Sequence, residues 1–329
     1  MTKKMETLIA SLMVPPGKKI DLRNDYDPGH IGHFMSKKHA EKTMNADIHL
    51  LSLQQEKLFA QDTYALLIIF QAMDAAGKDS TIKHVMSGVN PQGVKVTSFK
   101  GPSVEELDHD YLWRNWIALP RRGEIGIFNR SYYEEVLVVR VHPDYLERQH
   151  IPPELKDTNI WNLRFDEINN FEKYLTDNGI IVLKFFLNVS KEEQKKRFLE
   201  RVKEPDKNWK FSAADIHERA CFEDYMNAYE DMFNHTSTSY APWYIIPADH
   251  KWFTRLIVVS AIFHALDRLH LAYPKMTREQ EEALLEAKVE MENEGRDPPA
   301  GGNPPKKESG KRKGSFLTKA PKSVLPVYM

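Results

Sequence analysis

This sequence predicts an α/β fold, a parallel sheet with helices on both faces. Three observations carry that expectation. Five short apolar runs, "YALLIIF", "VKVTSF", "EIGIF", "IIVLKFFLNV" and "WYIIPA", follow one another between residues 64 and 248. Segments of helical pattern and length separate them, as crossovers between parallel strands require. A glycine-lysine pair, Gly77-Lys78, stands at the first junction, where a strand would turn into a helix.

Residues 1–62 contain "VPPGKKIDLRNDYDPG", rich in turn formers, and then Met44, Ile48, Leu51 and Leu58 at helical spacing. They are expected to form an extended arm leading into an amphipathic helix. Residues 63–275 make the core. After the first strand a helix is expected over residues 79–89. Further helices are expected over 103–117, opening Ser-Val-Glu-Glu, and over 190–202, opening Ser-Lys-Glu-Glu, both resembling capping boxes. Residues 276–329 begin as a charged helical segment and pass into "EGRDPPAGGNPPKKESGKRKGS", where Pro, Gly and Lys crowd out apolar residues. From about residue 293 a flexible tail is expected.

With 329 residues, 41% hydrophobic and 28% charged, the composition is that of a soluble globular protein. A formal net charge of −1 supplies no global field for a polyanion, so nucleic acid is not an expected partner and any basic site must be local. The apolar runs are too short for a membrane span. The single cysteine, Cys221, cannot form an intrachain disulfide, and no apolar run opens the sequence, so a reducing, cytoplasmic setting is expected. The 13 histidines show no metal-ligand spacing such as H-E-x-x-H.

The segment "IIFQAMDAAGKDSTIKHV" departs from the phosphate-loop pattern G-x-x-x-x-G-K-[ST] at two letters: Ala72 replaces the first glycine and Asp79 the hydroxyl residue. A strand before and a helix after still make this turn a natural anion site, with Ala75, Ala76, Gly77, Lys78, Asp79 and Ser80 as candidate phosphate contacts. Lys78 would neutralise a transferring phosphoryl group. Asp74 would bind Mg²⁺ directly, or orient its waters or a nucleophile, and Asp79 could do part of the missing hydroxyl's work. An isolated Gly-Lys pair would otherwise be only a turn with a solvated lysine. At the end of "EIGIF" stand Asn129, a neutral oxygen where an acid would suit Mg²⁺, and Arg130, a charge stabiliser or else a partner of Glu134 or Glu135.

The runs "MDAAGKDSTIKHV", "NPQGVKVTSFKGPS", "FNRSYYEEVLVVRVHP", "KNWKFSAADIHERA", "DYMNAYEDMF" and "APWYIIPADHKWFTRL" resemble, in order, the motifs of the second family of polyphosphate kinases, over residues 15–275. The resemblance implies a P-loop kinase core with a helical lid around residues 197–220. It also implies phosphoryl transfer between inorganic polyphosphate and AMP, ADP or ATP with Mg²⁺, or Mn²⁺ in its place, and a homo-oligomer. The "FNRS" and "YEEVL" wording is similar to the class III branch, which implies that both AMP and ADP are accepted. By the same resemblance the loop acid is Asp74, the loop lysine Lys78 and the strand-end arginine Arg130. Asn129 stands where many members have aspartate, and Glu134 where the branches differ, a candidate for acceptor choice.

Polyphosphate demands a row of cations. Arg197 and Arg201, one helical turn apart, Lys207 and Lys210 around Trp209, and Lys83 on the helix after the loop are candidates for that track. In the lid segment cations barely outnumber acids, so a solvated helical face is the plainer alternative. An ATP-dependent nucleoside or nucleotide kinase and a noncatalytic nucleotide-binding regulator remain the rival readings of the chain.

Overall fold

The computed structural model describes residues 2–294 apart from 33, 35, 157–158 and 211–213, and of residues 207, 209–210 and 214–215 it describes the backbone alone. The chain divides into two compact units, Met1–Pro274 and Lys275–Met329. In chain order the first carries α1 (Lys3–Ser11), α2 (Leu22–Asp25), α3 (Lys37–Gln61), β1 (Ala65–Ala72), α4 (Lys78–Val85), β2 (Val94–Ser98), α5 (Val104–Leu107), α6 (Trp113–Trp116) and β3 (Ile125–Asn129). There follow α7 (Val138–Val141), α8 (Asp144–Glu147), α9 (Ile160–Asp177), β4 (Ile180–Asn188), α10 (Lys191–Lys203), α11 (Ala214–Ala220), α12 (Phe222–Thr236), β5 (Trp243–Pro247) and α13 (Lys251–Asp267). The second unit is described as α14 (Arg278–Asn293), an exposed helix opened by a capping box between Thr277 and Gln280.

The five strands are all parallel, in the order β2-β3-β1-β4-β5. Every residue of β1 is buried, which explains an apolar run without alternation: helices cover both faces. The strand order places β1 at the centre, with β3 on one side and β4 on the other, so the chain leaving β1 sits where ligands collect in such sheets. In register, Phe70 lies beside Asn129, which brings the loop after β1 next to Arg130.

One charge lies inside the sheet. Lys184 of β4 is fully buried and donates to Glu172 of α9 (2.6 Å), the Tyr133 hydroxyl (2.8 Å) and the carbonyl of Thr236 (2.8 Å). Burial pushes the Lys184 ammonium down and Glu172 opposes it. The other Glu172 oxygen accepts from both Tyr132 and Tyr133. An unpartnered charge here would be strongly destabilising, so the network holds Tyr132 and Tyr133 in place, and with them the adjoining Glu134.

Two local expectations are corrected. The start of the chain is not an extended arm: Lys3–Ser11 is a helix capped by Thr2, because Met5, Leu8 and Ile9 pack into the core. Residues 103–117 form two short helices rather than one. The Ser103–Glu106 capping box is present, but the Asp110 side chain takes the Leu112 N–H, a local bond that competes with helix continuation.

Candidate active site

The turn after β1 is built by backbone conformation. Ala72 is the last residue of the strand, with negative φ, so the first glycine of the usual pattern is not needed at that position. Positive φ falls instead at Ala75 (63°) and Gly77 (106°). A methyl group at Gly77 would meet nothing closer than 3.5 Å, so the glycine answers a backbone requirement rather than lack of space. Alternating backbone conformations of this kind turn successive N–H groups towards one point, where the start of α4 adds its dipole.

Arg197 fixes the far side of the turn. It lies on α10, is 4% exposed, and uses all five of its N–H groups. Nε donates to Glu193 (2.9 Å), one terminal nitrogen to the carbonyls of Ala75 (3.2 Å) and Ala76 (2.7 Å), and the other to those of Ala248 (2.6 Å) and Asp249 (3.2 Å). The expectation that Arg197 lies on a polyphosphate track is therefore corrected: it borders the site, but its donors are spent holding carbonyls away from it.

Lys78 donates to the carbonyl of Ala72 (2.8 Å), which folds its side chain back across the turn. Burial pushes its ammonium down, and Arg130 adds to this, while Asp74, Glu134 and Asp79 oppose it. Arg130 adopts φ 64°, an uncommon conformation for a non-glycine residue at a strand end. Its guanidinium meets Asp74 at 3.1 Å and Glu134 at 3.9 Å, Glu134 being the larger influence raising its pKa. Of the two readings of Arg130, the ion pair with Glu134 is present, and the side chain also lines the site. The pair with Asp74 is a third or so exposed on each side, worth at most about 1 kcal/mol, so a bound anion or cation can reorganise it. Burial pushes the Glu134 carboxyl up, against the pull of Arg130 and Lys78. Asn129 donates to Asp79 at 2.8 Å, leaving its own carbonyl oxygen uncommitted to that contact. Ser80 donates to the carbonyl of Gly77 at 3.1 Å.

These side chains border two cavities that share Asp74 and Arg130. The smaller, about 590 Å³, lies over the turn and takes in Gly77, Lys78, Asp79, Ser80, Asn129 and Arg201. The larger, about 1210 Å³, holds Glu134, Arg164, Glu218, Arg219, Tyr225 and Tyr229. Lys83 lines neither. Five residues past Lys78 it is turned about 140° away around α4, and it is exposed there. Lys207 and Lys210 lie in a short 3₁₀ stretch, Pro205–Lys210, but their side chains are outside the described residues. Lys251, at the start of α13, also borders the smaller cavity. Its place just past the last strand was the signal by which it could have been found. Lys100, two residues past the end of β2, carried the same signal, whereas Glu218 and Arg219 join the site from α11, for which the sequence offers none comparable.

Among the described residues there is no cluster of three acidic, histidine or cysteine side chains about a common point, and no helix long and apolar enough to cross a membrane. Oxygen donors bordering the smaller cavity include the Asp74, Asp79 and Glu200 carboxylates and the Asn129 carbonyl. That set fits a hard divalent cation of the Mg²⁺ type, which takes one or two carboxylates and completes its shell with phosphate oxygens and water.

The model of the polyphosphate kinase 2 family matches residues 34–273. An ADP-polyphosphate phosphotransferase of Rhodopseudomonas palustris is 48% identical over 282 residues, which are 84% of this chain and 96% of that protein. An AMP/ADP-polyphosphate phosphotransferase of Meiothermus ruber is 40% identical over 274 residues, 83% of this chain and 98% of that one. The crystal structure of polyphosphate kinase 2 from Arthrobacter aurescens superposes with a TM-score of 0.77 at 39% identity, covering 87% of this chain and 97% of its own.

Proposed function

The chain belongs to the polyphosphate kinase 2 family, and from that premise we infer that it is a polyphosphate-dependent nucleotide kinase. It moves a phosphoryl group reversibly between inorganic polyphosphate and AMP or ADP. The observation that carries the assignment of sites is the pair of cavities meeting at Asp74 and Arg130. The smaller, walled by loop backbone and cations, suits the end of a chain of phosphates that offers no base or sugar to grip. The larger, lined by aromatic as well as charged side chains, has room for a base and sugar.

In this reading the terminal phosphate oxygen of the nucleotide attacks the end phosphorus of polyphosphate in line, at the boundary between the cavities, with no covalent enzyme intermediate. Arg130 at that boundary and Lys78 on its smaller-cavity side neutralise charge on the phosphoryl group as it transfers. Backbone N–H groups of the turn and the start of α4, apart from that of Ala76, which donates to the Met73 carbonyl, hold the donor's phosphates. Asp74, Asp79 and the Asn129 carbonyl, which line one cavity, would hold Mg²⁺ or Mn²⁺, and the ion would supply positive charge to offset that of the phosphates. Glu134 faces the acceptor. It orients Arg130, and its raised pKa suits a group that shares a proton or a hydrogen bond with the incoming phosphate. Its reach into the larger cavity makes it the residue that distinguishes AMP from ADP. The cytoplasm, where Cys221 stays reduced, is the setting we infer.

The test is a donor screen. Purified protein with Mg²⁺ and polyphosphate should convert AMP to ADP and ADP to ATP without added ATP, and the apparent affinity for polyphosphate should weaken as salt rises, by loss of counterion release. Phosphorylation from ATP alone, with polyphosphate neither reacting nor competing, would replace this reading by that of an ordinary nucleotide kinase.

A further inference from the structure

Gln194 is 1% exposed on α10, and no substrate role needs it. Its amide nitrogen donates to the main-chain carbonyl of Asp74 (3.0 Å), and its amide oxygen accepts from Arg219 of α11 (2.6 Å). The same Arg219 nitrogen donates to the carbonyl of Lys191 (2.9 Å), the first residue of α10. Gln194 stands three residues before Arg197 on one helical face, so two neighbouring side chains take the carbonyls of residues 74, 75 and 76 in succession. Arg197 ties this turn to α10 and to the loop after β5. Gln194 adds a connection to α11.

The chemistry of the link is specific. A neutral amide can donate to a carbonyl at one end while accepting from a guanidinium at the other. Glutamate would set an acceptor against the Asp74 carbonyl, and an apolar residue would leave both partners unpaired in a buried place. Arg219 also decides which way round the amide lies, because its N–H groups accept nothing. Next to it, Glu218 fastens α11 independently, accepting from Tyr225 (2.6 Å) and standing 3.1 Å from His142. Arg219 thus contacts both Gln194 and α10, while Glu218 gives α11 a second attachment that does not pass through Gln194. Gln194, Glu218, Arg219 and Asp74 all border the larger cavity.

We propose that Gln194 is a positioning residue that couples the Arg219 wall of the acceptor cavity to the phosphate turn, so that the placement of Asp74 depends on α11 through one amide. The kinetic part of this proposal rests on the assigned function; its structural part does not.

The experiment is hydrogen–deuterium exchange on the full chain, read separately for peptides covering residues 74–80 and 214–220, together with kcat and KM. Arg219→Met should speed exchange in residues 74–80 at least fivefold and lower kcat about tenfold, with the melting temperature falling only by the few degrees that one unpaired buried acceptor, the Gln194 amide oxygen, costs. Arg219→Lys, which keeps a donor for the amide oxygen, should restore part of both. Gln194→Met should give the same loop effect, and the double variant should be no worse than Gln194→Met alone. Faster exchange confined to residues 214–220, or loop effects of the two substitutions that multiply, would overturn the proposal. Should Gln194→Met fail to fold, the two Arg219 variants decide it, since Arg219 is partly exposed and Glu218 still holds α11. A wild-type protein inactive with polyphosphate would defeat the functional reading and leave the exchange comparison standing.

Discussion

The two cavities on either side of Asp74 and Arg130 are built by opposite means. The smaller is built around one continuous turn, residues 74–80, whose carbonyls at 74, 75 and 76 are held by α10. The larger is assembled from side chains of turns and helices between residues 72 and 229, including Arg164 of α9 and Tyr225 and Tyr229 of α12. A repeating, featureless donor needs only a fixed anion cradle, whereas a nucleotide needs a shaped enclosure. The difference suggests where each substitution should act. Changes around the turn should cut the chemical step, and changes in the larger cavity should redistribute acceptors.

The largest effect should come from the boundary itself. Lys78→Ala removes the loop ammonium and should lower kcat by about 10²–10³ while circular dichroism and melting temperature stay near the wild type. Near-normal turnover in the folded variant would take the turn out of the mechanism and collapse the contrast between the cavities.

The next test compares two arginines on the same helix. Arg197→Met strands four buried carbonyls, each costing about 1–3 kcal/mol when unpaired, so both melting temperature and kcat should fall substantially. Arg201, which borders the smaller cavity and lies over the Phe198 ring at 5.2 Å, should behave differently. Arg201→Met should leave the melting temperature within about 1 °C and raise the polyphosphate KM about fivefold, the equivalent of about 1 kcal/mol. Equal losses of stability in the two variants would erase the distinction between scaffold and substrate contact.

The smallest effect is expected in the larger cavity. Glu134→Asn should keep most of the total activity and shift the ratio of AMP to ADP use severalfold, measured as the ratio of the two kcat/KM values. An unchanged ratio with activity preserved would assign acceptor choice to other residues of that cavity.

Legibility followed the same division. The strands were readable because a buried parallel strand is a local apolar run, and β1 to β5 fall on the five runs seen in the sequence. The turn was readable because its chemistry is contiguous: Asp74, Gly77, Lys78 and Asp79 come together by sequence alone, and Arg130 follows from its strand end. Arg197 was visible as a charge but its direction was not. Helical spacing puts it on a face with Arg201; burial against the loops after β1 and β5 then decides that it supports the turn. Lys83 was misplaced for a related reason, since proximity along the chain says less than rotation about α4.

What the sequence by itself determined is the α/β fold, the phosphate turn and the family, because each is written in runs of adjacent residues whose local preferences agree. Only the tertiary structure decided that Arg130 and Asp74 meet at the seam between two cavities, that Lys184 and Glu172 anchor the tyrosines ahead of Glu134, and that Gln194 joins α11 to the turn. Those contacts join residues 12 to 120 positions apart. Their energies depend on burial and on directed hydrogen bonds, neither of which exists until β1, β3, β4 and α10 have packed together.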